Sequence, residues 1–114
     1  MMMMIKLRAI GKAFSDVCPA TSHYFRPDRA KAPFLVWGED GEQTSLQGGN
    51  LKRMQSIVGT ADYYTKTEFD PAVDQLQLAM NNQGMAWELN SVQFEEETGL
   101  IHWSWDWKAA VTVG

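Results

Sequence analysis

Leu100 to Val111 is a strand-like segment in which apolar and polar residues alternate from Ile101 to Lys108. Ile101, Trp103, Trp105 and Trp107 take every other position, and His102, Ser104, Asp106 and Lys108 lie between them. Side chains of a strand point alternately to its two faces, so this spacing puts three indoles on one face and polar groups on the other. Each indole buries roughly 150–250 Å² when covered, so the stripe must back a core or meet a partner. Met85 to Phe94 precedes it as a second strand-like segment. The polar turn Glu95-Glu96-Glu97-Thr98-Gly99 joins the two into a closing hairpin.

The rest of the chain supplies the cover. Met4, Leu7, Ile10, Phe14 and Val17 recur at steps of three and four, one face of a helix from about Met3 to Val17. Gly11 costs that helix about 1 kcal/mol relative to alanine, and Cys18-Pro19 ends it. Ala20 to Pro33 reads as irregular and basic. Phe34 to Trp37 reads as a short buried strand, and Glu39 to Asn50 has the composition of an exposed loop.

Met54 to Thr65 alternates again, with Ile57, Gly59, Ala61 and Tyr63 on one face; Gly59 and Ala61 leave room there for something bulky. Phe69-Asp70-Pro71 starts a second helix, with Asp70 as N-cap and Pro71 at the first helical position. Phe69, Val73, Leu76 and Met80 form its stripe, and Asn81-Asn82-Gln83-Gly84 stops it. The order α-β-β-α-β-β predicts an α+β fold: a four-stranded antiparallel sheet with two helices packed on one face. At 114 residues, the whole span 1–114 is read as a single domain.

Composition narrows the function classes. A formal charge of -4 argues against a dedicated, sequence-specific nucleic-acid binder. No apolar run approaches the roughly 20 residues of a membrane span. The methionine start reaches Lys6 and Arg8 too soon for a targeting segment, so none is read. One cysteine, Cys18, allows no internal disulfide and points to a reducing compartment.

Nothing assembles into catalytic machinery. Asp70 and Asp74 stand one helical turn apart but are accounted for by the helix start. Cys18 and His23 are too few ligands for a metal, and Gly48-Gly49 is too little for a phosphate loop. No enzyme, metal or cofactor is expected. The basic cluster Arg26, Arg29 and Lys31 reads as a solvated loop or as a contact to an acidic neighbouring subunit. Aromatic residues are enriched at subunit contacts, so Trp103, Trp105 and Trp107, with Trp87 on the hairpin partner, are the candidate interface residues.

Four stretches carry a family likeness: Tyr24-Phe25-Arg26-Pro27, Ala32 to Trp37, Asp62 to Lys66, and Leu89 to His102. They resemble a small prophage protein of Gram-positive bacteria encoded among head–tail joining and tail genes. The element order is similar to that of the tail-terminator (tail-completion) proteins of long-tailed phages, over about Leu7 to Val111. The resemblance implies a virion structural protein that assembles in the bacterial cytoplasm. Its copies would form a homohexameric ring that caps the tail tube and meets the head connector, and no short functional motif carries over. On that reading, Glu39, Asp40, Glu42, Gln47 and Asn50 belong to a flexible loop that reaches a partner. Two other readings stand beside it: a head-side connector, stopper or minor capsid protein, and a small non-viral ligand-binding domain.

Overall fold

Leu7, Ile10 and Phe14 are buried along one side of a helix, α1 (Met3–Val17), which ends where the Cys18 N–H still reaches the Phe14 carbonyl. The computed structural model describes residues 1–43 and 51–114. After α1 come β1 (Thr21–His23), β2 (Phe34–Glu42) and β3 (Met54–Thr65), then α2 (Pro71–Asn82), β4 (Ala86–Glu95) and β5 (Leu100–Thr112). The architecture is α+β, with two helices and a five-stranded mixed sheet in the order β1-β2-β3-β5-β4.

Two strand expectations need correction. The sheet has five strands rather than four and is not wholly antiparallel, because β1 pairs with β2 in parallel. Strand β2 also continues through Glu42, so Glu39, Asp40 and Glu42 belong to a strand and not to a loop. Its acidic, glycine-containing half is held by pairing with β3, and the register shifts between Glu39 and Gly41. Gln47 and Asn50, the other two residues of the expected loop, lie outside the described residues.

The core lies between both helices and one face of the sheet. Leu7, Ile10 and Phe14 of α1 and Val73, Leu76 and Met80 of α2 share one buried cluster with Trp37, Ile57, Ala61, Tyr63, Trp105 and Trp107. In β3 these residues alternate with half-exposed ones, as expected when one face of a sheet is covered, whereas Gly38 beside Trp37 and Ser104 beside Trp105 are buried as well. Trp107 sits opposite Gly59 and Trp105 opposite Ala61 across the β3–β5 ladder. The two small residues thus make room for two indoles, as the sequence pattern predicts.

Two stripe residues fall elsewhere. Met3, not Met4, packs against the core; Met4 is 61% exposed. Phe69 leaves the α2 stripe altogether: its φ of 53° places it in the left-handed region, and it stands 97% exposed. Behind it lies a hydrogen-bond network centred on Asp70. Asp70 accepts from the Ala72 N–H at 2.9 Å, from Thr65 Oγ1 at 2.7 Å and from the Tyr63 hydroxyl at 2.8 Å.

Candidate functional site

The two edges of the sheet carry its exposed aromatic and apolar residues in different company. At the β4 edge, Val92 pairs across from Trp103 and Phe94 from Ile101. All four share the helix-side face of the sheet, since Trp103 and Ile101 alternate with His102. Ile101 is half-buried, while Leu89, Val92 and Phe94 are exposed, Phe94 by 64%. Beyond them the turn closes with Gly99 at φ 71°, its N–H donating to the Glu95 carbonyl at 2.8 Å. Thr98 Oγ1 donates to the Glu95 carboxylate at 3.0 Å, while Glu96 and Glu97 project into solvent.

The tryptophans divide along this hairpin. Trp105 and Trp107 are sealed inside the subunit, so their expected place at a subunit contact is corrected. Trp105 Nε1 donates to Gln77 Oε1 at 3.1 Å, and Trp107 Nε1 donates to the Thr60 carbonyl at 3.0 Å. Both indoles therefore spend their polar atom inward. Trp103 and Trp87 are only partly buried and remain at the rim, where Trp87 Nε1 donates to Asn81 Oδ1 at 2.8 Å. Leu89, Val92 and Phe94 are the contact candidates that sequence reasoning missed. Their signal was alternation within β4, Trp87 with Leu89 and Val92 with Phe94, interrupted by one residue where the register with β5 shifts between Leu89 and Ser91.

The opposite edge is built from β1 and the loop that follows it. Tyr24 and Arg29 have φ values of 76° and 58°, and Tyr24 and Phe25 are exposed, Phe25 by 69%. Tyr24 stacks on His23 at 4.0 Å, and His23 Nε2 lies 2.7 Å from Glu39 Oε2. A hydrogen bond to the Glu39 carboxylate, then burial and the nearby negative charge, push the Tyr24 phenol up to about 12. For Glu39 itself burial opposes ionisation, but hydrogen bonds from Tyr24 and His23 prevail and hold its carboxyl below the usual range.

Arg26 is drawn back over the sheet, its guanidinium carbon 4.8 Å from the Phe34 ring centre and 5.3 Å from that of Tyr64. Phe34, Tyr64 and His102 stack in turn at 4.6 and 4.2 Å, and His102 is tied to Asp62 at 2.7 Å. Arg29 and Lys31, later in the same loop as Phe25, are exposed.

The remaining candidates serve the fold. Asp70 caps α2 while Asp74 lies exposed on its first turn. Cys18 is buried, and burial pushes its thiol up, away from the reactive thiolate. Among the described residues no three His, Cys, Asp or Glu side chains are grouped to hold a metal. A hollow of about 470 Å³, lined among others by Asp40, Glu88, Asp106 and Lys108, sets three carboxylates against one ammonium. No described helix is long and apolar enough to cross a membrane. The sequence matches no protein-family model and no curated protein.

Proposed function

We propose that this protein is a structural component of a phage or prophage virion, a tail terminator. In this reading, copies form a ring that caps the tail tube, stops its growth and joins it to the head connector. The protein then works by docking and transforms no substrate.

The observation that carries the reading is the β4–β5 hairpin, which presents Leu89, Val92 and Phe94 uncovered beside the acidic turn Glu95 to Glu97. Exposed apolar residues grouped on one edge and rimmed by charge mark a protein–protein contact. The sequence stretches that resemble a small prophage protein encoded among head–tail joining and tail genes include this same hairpin. The α+β architecture, with a helix before the sheet and another between β3 and β4, is compatible with that family's element order.

Electron microscopy of particles lacking the gene tests the role. Overlong tail tubes without heads are expected; tubes of normal length joined to heads would end the reading. Co-purification distinguishes the head-side alternative, because a terminator brings down tube protein and a stopper brings down portal or adaptor.

A further inference from the structure

The two sheet edges match each other. The β4–β5 hairpin is apolar and acidic: Val92 and Phe94 exposed, Glu96 and Glu97 at its tip. The β1–β2 loop is aromatic and basic: Tyr24 and Phe25 are exposed, Arg29 and Lys31 follow them in the loop and are exposed too, and Asp28 is the one acid in it, with Glu39 and Asp40 of β2 near Tyr24. Along the strands the patches are offset: the Tyr24 N–H donates to the Trp37 carbonyl, while Arg26 reaches back to the Phe34 level, on the sheet face opposite that of Val92 and Phe94. Phe34 pairs with Tyr64, Tyr64 with His102 and His102 with Gln93, which runs a straight line across the sheet from the loop's anchor to the hairpin. Arg26 folds onto the Phe34 end of that line, and Phe94 lies next to Gln93 at the other. Three strand spacings, about 14 Å, separate β2 from β4.

We infer that the partner for the hairpin is the β1–β2 loop of a second copy of this chain. Phe94 and Val92 pack against Phe25 and Tyr24, and Glu96 and Glu97 face Arg29 and Lys31. The two patches differ in kind and are offset along the strands, so the contact is heterologous, with each copy offering one unlike patch on each edge and the neighbour displaced sideways and along the strand axis. Such a contact repeats from copy to copy until it closes. The inference rests on the assembly reading above for its occupant and adds which surfaces meet.

A rival counter-surface lies at the other end of the sheet. Met4, Ile5 and Met54 are exposed near Arg8 and Arg53 at the far end of the sheet, where Met2 bridges to Thr112. Contact there would string copies end to end along the 53 Å long axis rather than side by side.

Sedimentation velocity over a concentration series, at low and physiological salt, tests the choice. The wild-type chain should self-associate, more weakly as salt screens the exposed charges. Glu96→Lys with Glu97→Lys should weaken association at least about tenfold, and Arg29→Glu with Lys31→Glu equally, each with an unchanged melting curve. An equimolar mixture of the two variants should regain wild-type association, because every hairpin then meets a loop of opposite charge. Phe94→Asp should remain monomeric in any mixture with itself.

Three results would overturn the inference: charge-reversed variants that associate like wild type, a mixture that shows no rescue, or Met4→Glu with Ile5→Glu alone abolishing association. A wild-type chain that stays monomeric throughout would also overturn it. That outcome leaves the tail role to be decided by the gene-deletion particles, whose tube lengths do not depend on which patches meet.

Discussion

Gly59 marks the tightest approach between the tryptophan stripe and the sheet. A Cβ there would lie 2.2 Å from the Gly38 carbonyl oxygen and 2.4 Å from the Trp107 ring. The carbonyl belongs to a paired strand and has no room to yield, so Gly59→Ala should cost about 3 kcal/mol or more and lower the melting temperature accordingly. Gly11 has a related reason: a Cβ would lie 2.8 Å from the Trp37 ring, so the helix forgoes alanine to seat an indole. Asp70 is the second critical residue. Burial works to raise its pKa, but bonds from the Ala72 N–H, Thr65 and Tyr63 prevail, and the net shift is downward. Because the folded-state pKa is depressed, its contribution is present above the unfolded value near 3.9 and is lost as pH falls through the folded value. Asp70→Ala removes the cap and strands two buried hydroxyls, those of Tyr63 and Thr65. The loss should be about 2–4 kcal/mol near neutral pH by urea denaturation, and the gap to wild type should narrow in acid.

The strands differ in how well they are held. Strands β3 and β5 have a neighbour on each side, β4 has one, and β1 spans only three residues. Amide exchange read by mass spectrometry on dilute protein should therefore find β3 and β5 opening only with global unfolding. The outward amides of β4 and β1 should exchange by local opening well before that. Outward β4 amides as slow as those of β5 would mean that the edge is already covered. The same distinction sets what the sequence reveals. The bounds of α1, β3 and α2 are legible because periodicity, a proline stop and an Asp-Pro start are local signals. Strand β1 is not legible: Thr21, Ser22 and His23 carry no strand pattern. They pair only because the end of α1 brings them alongside Leu35, Val36 and Trp37, a parallel contact that no neighbouring residue announces. The outer half of β2 reads as a loop from Glu39 onward because its composition is that of a turn. Pairing with β3 overrides composition there.

At the scale of the molecule, length decides which aromatic residues are core and which are surface. The 12 residues of α2 span about 18 Å, whereas the 13 residues of β5 span about 43 Å. Helices of that length cannot roof the whole sheet. Trp105 and Trp107 lie under them, Trp103 at the margin, and Val92 and Phe94 beyond. Alternation in the sequence shows the face each residue takes but not how far the helices reach along it, which is why the stripe alone does not sort its indoles into core and contact. Folding and docking should then separate by position. Trp105→Ala empties a fully buried site and strands Gln77, so it should cost about 3–5 kcal/mol in urea denaturation followed by tryptophan emission. Phe94→Asp should leave the unfolding free energy within about 0.5 kcal/mol of wild type while abolishing association in the centrifuge. If Phe94→Asp instead unfolds the chain as readily as Trp105→Ala, the hairpin tip is part of the core and the edge-to-edge contact has no free surface to use.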